Sequence, residues 1–354
     1  MKVAIIADVH LTTRKDHPER FRALENILEQ MFVADLRTLI IAGDLFDESS
    51  RNYAEFDQIC KKKKYKGIHF VIIPGNHDAR LNNKSITAEN VEILNQPTLK
   101  VFNSDELPFL FLPYQPDKTM GEFIAAQSSE LPANNWVLIS HGDWAEGIRE
   151  PNPLEPGVYM PLTRMDIENY KPTTVVLGHI HKALDKARVH YVGSPCGLDI
   201  TETGRRRFLT IDTENGDTTS QTVASDFIFV NESLIILPLK DEKMYVKNAM
   251  ADILKKWDFQ KDEIPRVRIQ LKVRGYSSNK RVLLNTIKAC LQGFTFYRDG
   301  EPDLSDVADA DDVNRAEIAN QVSARIAELN WLSGTEQPNK DQILLEALHV
   351  IYGN

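Results

Sequence analysis

Over roughly the first 210 residues, short apolar, β-branched runs alternate with amphipathic or polar stretches. The runs are VAIIAD (3–8), TLIIAGD (38–44), HFVIIPGNHD (69–78), LFLPY (110–114), NWVLISHGD (135–143), TTVVLGHIH (173–181) and VHYVGSP (189–195). Between the first two, Pro18 stands where a helix begins, and Phe21, Leu24, Leu28 and Met31 recur at helical spacing. Strands alternating with helices predict an α/β layered fold. FLTID (208–212), the turn-like ENGD (214–217) and the following TTSQTVAS predict a hairpin that closes this layer.

The texture changes near Asp226. RVRIQLKVRG (266–275), KRVLLNTIKACLQ (280–292) and FTFYR (294–298) read as a β-α-β unit of a small second domain. EPDLSDVADADD (301–312) carries acids and no base, which predicts a solvated linker. Two amphipathic helices follow, over about 312–330 and 339–352. Ile318, Val322 and Ile326 share one apolar face, and Ile343, Leu344, Ala347 and Val350 share another. Trp331 and Leu332 could anchor a partner or pack on the chain itself. The expected division is therefore 1–225, 226–300, a linker over 301–312 and a helical, partner-binding segment over 313–354.

The length of 354 residues allows about two domains. With 42% hydrophobic and 26% charged residues, the composition is that of an ordinary globular protein. No apolar run approaches the roughly 20 residues of a membrane span, and MKVAIIADVH lacks a cleavage-site pattern, so a cytoplasmic location without membrane contact is expected. Cys60, Cys196 and Cys290 are far apart and form no C-x-x-C pair, so any metal must be held by nitrogen and oxygen. A formal charge of −9 argues against coating nucleic acid by bulk electrostatics, though not against a local grip. No P-loop motif occurs, so any ATP dependence must come from another chain.

A single histidine behind an apolar run is ordinarily a satisfied core residue. Here five of the nine histidines stand behind such runs, in Asp8-x-His10, Asn76-His77-Asp78, His141-Gly142-Asp143 and Gly178-His179-Ile180-His181, with Gly43-Asp44-Leu45-Phe46-Asp47 between them. In an α/β sheet the C-terminal strand ends share one rim, so these segments converge. In extended chain His179 and His181 project from the same face. Carboxylate, imidazole and carboxamide without thiolate suit Mn²⁺, Fe²⁺ or Zn²⁺, with Mg²⁺ admissible. The array can divide as Asp8, His10 and His181 on one cation and Asn76, His141 and His179 on a second, with Asp44 bridging. Two cations in that array would acidify a water and clamp the oxygens of a phosphodiester displacement. His77 and Asp78 are not needed as ligands: His77 is the candidate for contact with the scissile phosphate, and Asp78 for orienting it.

The order Asp-x-His, GD-x-x-D, GNHD, H and GHIH resembles the calcineurin-like metallophosphoesterase superfamily over residues 1–210 or so. More narrowly, GDLFD, PGNHD, LGHIH and YVGSPCGLDITETGRRRF look like SbcD-type nucleases of DNA repair and recombination, including phage forms. The resemblance implies a helix-flanked β-sandwich with a small α+β capping domain for DNA recognition and a C-terminal helical tail. It implies Mn²⁺-dependent exonuclease and endonuclease activity on double-stranded and single-stranded DNA. It further implies a homodimer of the nuclease subunit in complex with an SMC-like coiled-coil ATPase. Some members carry histidine where this chain has Asp47, so that position's role does not transfer. Arg205, Arg206 and Arg207 are candidate phosphate contacts on DNA, whereas Lys61–Lys64 reads as the solvated end of a helix. Tyr191, Phe208 and Phe227 read as core. The rival functions are a small-molecule or cyclic-nucleotide phosphodiesterase with the same metal site, and a non-catalytic scaffold.

Overall fold

The computed structural model describes residues 1–48, 53–145, 157–237, 239, 241–310, 313–329 and 339–352. Trp331 and Leu332 lie outside the described residues. The chain forms two compact units, one of residues 1–198 and 204–227, the other of residues 199–203 and 228–354.

The first unit runs β1 (Lys2–Ile6), α1 (Pro18–Val33), β2 (Thr38–Ala42), α2 (Ala54–Cys60), β3 (His69–Ile73), β4 (Val91–Ile93), β5 (Thr98–Lys100) and β6 (Phe109–Leu112). It continues through α3 (Met120–Gln127), β7 (Val137–His141), α4 (Arg164–Tyr170), β8 (Thr174–Gly178), β9 (Leu184–Lys186), β10 (Val189–Tyr191), β11 (Arg206–Asp212) and β12 (Thr218–Val223). Two six-stranded sheets result, in the orders β12-β11-β1-β2-β3-β4 and β5-β6-β7-β8-β10-β9. Their facing sides interlock through Val3, Ile5, Ile40 and Val71 on one sheet and Phe109, Phe111, Ile139 and Val176 on the other. The alternate residues Ala4, Ile6, Leu39 and Phe70 pack outward against Phe21, Leu24 and Ile27 of α1. Leu110, Leu138 and Leu177 pack outward with Met120 and Ile124 of α3. Both side-chain rows of the central strands are thus buried, which is why these runs are continuously apolar.

Within the sheets β1, β2 and β3 are parallel, as are β6, β7, β8 and β10, so their C-terminal ends align. The hairpin of β11 and β12 joins antiparallel to β1. The described part of this unit thus has the layered, helix-flanked sheets that the sequence predicts.

The second unit holds β13 (Ile228–Ile236), α5 (Glu242–Trp257), β14 (Val267–Ser277), α6 (Lys280–Cys290), β15 (Thr295–Phe296), β16 (Asp303–Asp309), α7 (Val313–Glu328) and α8 (Lys340–Tyr352). All the pairings of β14, with β13, β15 and β16, are parallel. Val246 and Met250 of α5 and Leu283 and Ile287 of α6 cover the face formed by Ile236, Ile269, Leu271 and Val273.

The linker expectation is corrected here. Residues 303–309 are not a solvated linker but a strand beside β14, with Asp306 bonded to Lys272 at 2.8 Å. Acidic side chains are compatible with this edge because the neighbouring strand supplies the cations. The tail packs on this unit: Ala319 and Leu348, both fully buried, pack with Ile235 and Leu237, and the Tyr352 ring stacks on Tyr276 at 4.5 Å. Its buried face includes Ala316, Ala319 and Ile326, whereas Ile318 and Val350 point to solvent at 52% and 80% exposure. No described helix is long and apolar enough to cross a membrane.

Candidate metal centre

The strand ends β1, β2, β3, β7 and β8 deliver Asp8 and His10, Asp44, Asn76, His141, and His179 with His181 to one rim. Asp8, His10 and His181 form one cluster of converging ligand atoms, and Asp8, Asp44 and His141 a second. His10 Nε2 faces His181 Nε2 at 3.0 Å, and Asp44 Oδ2 lies 3.2 Å from His141 Nε2 and 3.7 Å from His10 Nε2. Asn76 Oδ1 reaches His141 Nε2 at 2.9 Å and His179 Nδ1 at 3.2 Å. All seven residues assigned from sequence as metal ligands therefore meet, with Asp44 beside both histidine groups.

The backbone is bent to make this possible. Asp8, His10, Asp44 and His179 all have positive φ, at 54°, 48°, 50° and 93°. Such conformations cost about 1–3 kcal/mol each and persist only where the surroundings enforce them. Close approach of the loops also demands two glycines. A Cβ on Gly43 would lie 2.0 Å from His141 Nδ1, and one on Gly75 2.2 Å from Asp44 Oδ1.

The donors fit divalent cations on three grounds. Asp8 Oδ1 accepts the His179 amide at 2.9 Å, while Oδ2 is buried with no hydrogen-bond partner. Such an oxygen is costly to bury unless a cation takes its lone pairs. His141 Nδ1 donates to the Ala42 carbonyl at 2.9 Å, which fixes Nε2 as the ligating nitrogen. The set is nitrogen and oxygen only, which suits borderline and hard divalent ions.

Charge is divided unevenly over the rim. Burial pushes the Asp8 carboxyl up to about 6, against the opposing pull of His181 and His141. Burial would raise Asp44 as well, but His141, His10 and His77 outweigh it and hold Asp44 below the usual carboxylate range. Burial opposes charge on His141, yet Asp44 and Asp8 hold the imidazole up at about 10. Burial and the charge of His181 lower His10 to about 3.

His77 is half-buried, its ring edge-on to His10 with centroids 4.7 Å apart, and its amide donates to Asp44 Oδ1 at 2.9 Å. It can also form a cluster with His10 and Asp44. Asp78 does not take the orienting role expected of it. Its two oxygens accept the Gly75 amide at 2.7 Å and the Phe46 amide at 3.1 Å, bracing the GNHD turn against the GDLFD loop. Burial, then the charge of Asp44, raises Asp78 to about 7.

The arginine run is also corrected. Arg206 is 5% exposed and donates to the His181 carbonyl at 2.9 Å, so its guanidinium holds the histidine turn and is withdrawn from DNA. Arg207 grips Asp185 through Nη1 at 2.5 Å and Nη2 at 2.8 Å and donates to Tyr191 O. Arg205 alone of the three is exposed. Lys61, Lys62 and Lys64 pair with Asp57, Glu25 and Glu29 on the surface.

Three supporting residues were given no role from sequence, although Asp143 stands in the His141-Gly142-Asp143 motif. Buried Arg20 donates to the His10 carbonyl and lies 3.7 Å from Asp47, which itself approaches His10 Nδ1 at 3.8 Å. Its signal was a cation on the apolar stripe of α1, beside Ala23 and Ile27. Asp143 accepts the Tyr159 amide at 2.7 Å and lies 3.8 Å from His179 Nε2. The Tyr159 ring lies 4.6 Å from that of His179, and no local pattern marks it.

Layered sheets with a buried carboxylate and imidazole cluster at their common strand ends form a candidate metal centre. The calcineurin-like phosphoesterase family model matches residues 1–183, and the chain belongs to that family. Its members use a dinuclear metal site, and the ligands described above are the candidates here. The chain is 26% identical over 214 residues to the uncharacterized metallophosphoesterase YhaO of Bacillus subtilis (strain 168), covering 56% of this chain and 50% of that one. It thus spans about half the length of that curated relative. Among solved structures, purple acid phosphatase PPD1 of yellow lupin (Lupinus luteus) seeds is 11% identical, with 63% of this chain and 51% of that one covered and a TM-score of 0.39. A dimetal phosphatase of Danio rerio is 9% identical, with 63% and 96% covered and the same TM-score of 0.39.

Proposed function

We propose that the chain is an SbcD-type nuclease subunit that hydrolyses DNA phosphodiester bonds with Mn²⁺, acting with an SMC-like ATPase in end processing, recombination and repair. The observation that carries this reading is how the features resembling that nuclease branch are joined to the metal centre. The His181 carbonyl accepts the Ser194 amide of the Y-x-G-S-P run at 3.0 Å and the Arg206 guanidinium at 2.9 Å. The stretch YVGSPCGLDITETGRRRF, which resembles that nuclease branch, is therefore in direct contact with a ligand residue.

Asp8, His10 and His181 would hold one cation and Asn76, His141 and His179 the other, with Asp44 between them. When bound, two such ions supply an acidified water and Lewis-acid stabilisation of phosphate oxygens. The protein's own part is to fix those ligands on strained turns and to exclude water from Asp8 and Asp44. His77, half-buried at the edge of the cluster, would meet the phosphate and stabilise charge or deliver a proton to the leaving oxygen.

A second reading, a small-molecule or cyclic-nucleotide phosphodiesterase, is favoured by the internal engagement of Arg206 and Arg207, which leaves fewer cations for a nucleic-acid backbone. The chain should be assayed with Mn²⁺ on linear duplex DNA, single-stranded DNA and bis(4-nitrophenyl) phosphate. Degradation of DNA, faster with a coiled-coil ATPase, supports the nuclease. Cleavage of the small ester with intact DNA supports the second reading. Metal uptake without any cleavage would make the chain a scaffold.

A further inference from the structure

Tyr191 lies in β10, where it pairs with Leu177 of β8, two residues before His179. Its ring is 3% exposed and packs among Leu112, Leu138 and Leu177. Its hydroxyl does not stay within its own strand environment. The Trp144 amide donates to Tyr191 Oη at 2.6 Å, and Tyr191 Oη donates to the Gly142 carbonyl at 3.1 Å. One hydroxyl therefore closes both ends of the turn that begins at the ligand His141.

That turn needs fixing. Gly142 has φ 153°, and its amide reaches Gly178 O only at 3.4 Å, a long bond between the His141 and His179 strands. On its other side the turn is held by Asp143 N donating to Tyr159 O at 2.7 Å. Three residues after Tyr191, the Ser194 amide secures His181 O at 3.0 Å. The short segment from Tyr191 to Ser194 thus touches the turns carrying His141 and His181.

We infer that Tyr191 is a positioning residue of the phosphoesterase site: its buried hydroxyl sets the His141 turn against the His179–His181 turn so that Asn76, His141 and His179 converge on one cation. This rests on the metal-site reading and is independent of the nucleic-acid substrate. Removing the hydroxyl leaves the ring in its core position but frees the Trp144 amide and the Gly142 carbonyl. Groups that orient metal ligands from outside the coordination sphere are worth on the order of 10–100-fold in affinity.

The test is Mn²⁺ titration calorimetry on the full chain, comparing wild type, Tyr191→Phe and Tyr65→Phe. Tyr65 is a suitable control because its buried hydroxyl donates to Glu29 at 2.6 Å, away from the rim. Tyr191→Phe should weaken one of two Mn²⁺ sites about 10–100-fold, keep the other, and lower kcat on bis(4-nitrophenyl) phosphate more than it changes KM. Tyr65→Phe should bind both ions as wild type does. Unchanged affinity at both sites in Tyr191→Phe, or an equal loss in Tyr65→Phe, overturns the inference. Failure of the wild type to take up two ions would instead remove the metal-site reading on which it stands.

Discussion

β1 and β14 are both central strands, and they treat polar residues in opposite ways. β1 buries every residue from Val3 to Ile6, so its chemistry appears only beyond its end, at Asp8 and His10. β14 alternates, burying Val267, Ile269, Leu271 and Val273 while Arg268, Lys272 and Arg274 stay partly accessible along its length. A strand covered on both faces concentrates polar groups at a rim, where several strands can pool them. A strand covered on one face spreads them over a surface. The difference gathers the candidate ligands in the first unit and leaves the polar residues of β14 spread along a face of the second.

The comparison is broken most severely by removing the charge at the centre of the rim. Asp44→Asn preserves shape but loses the negative charge that faces His141 Nε2 at 3.2 Å and His10 Nε2 at 3.7 Å. It should abolish metal-dependent hydrolysis and make both ions labile. Mass spectrometry of the metal content decides it: two tightly held ions with near-normal turnover would refute Asp44 as the bridge. His77→Ala should be milder, retaining both metals and losing turnover on the order of 10²–10⁴-fold. Because His77 also clusters with His10 and Asp44, stoichiometric loss of an ion in that variant would make it a ligand instead.

The same contrast explains what could be read in advance. Ligand residues were legible because strands buried on both faces are unbroken apolar runs, and whatever polar residue follows one sits on the rim. The bracing groups were not, since Asp78 reaches the Phe46 amide, Arg20 the His10 carbonyl and Arg206 the His181 carbonyl, contacts that no local spacing announces. Asp78 follows His77 in sequence, which suggested a local partnership, yet its two oxygens accept the backbone amides of Gly75 and Phe46. β16 was hidden for a different reason. The register shifts between its pairings with Lys272 and Arg274, so the inward residues Leu304 and Val307 stand three apart and the two-residue period disappears. Its acidic composition then suggested solvent, where the basic residues of β14 supply the balance.

A gentler probe of the rim is pH. In the metal-free chain His141 is held protonated up to about 10, with Nε2 facing Asp44 and Asn76. Coordination needs that nitrogen bare, so an entering ion displaces a proton. Since the raised pKa keeps the proton on throughout pH 7–9, apparent affinity should rise about tenfold per pH unit for one proton displaced. Asp8, raised to about 6, adds a second proton only below that pH. Calorimetry in buffers of different ionisation enthalpy measures the release directly. A binding heat independent of buffer, with pH-independent affinity, would sink the assignment of His141.

The smallest effect on hydrolysis should come from a fully buried residue of the tail. Leu348 is fully buried on α8 among Ile235, Leu237 and Ala319, all in the second unit, whereas every candidate ligand lies in the first. Leu348→Ala deletes buried methyl groups and leaves a cavity, which typically costs 2–5 kcal/mol. The second unit's unfolding midpoint in urea should therefore fall, while hydrolysis of bis(4-nitrophenyl) phosphate by the folded protein stays at the wild-type rate. Binding of a coiled-coil ATPase, measured on the same preparation, separates packing from docking: if the tail's exposed side, with Ile318 and Val350, makes the contact, binding survives wherever the second unit remains folded. Loss of small-ester hydrolysis in step with unfolding of the second unit would show that the tail belongs to the catalytic fold, and the contrast between the two units would fail. An unchanged midpoint would mean that Leu348 packs too loosely to hold the tail in place.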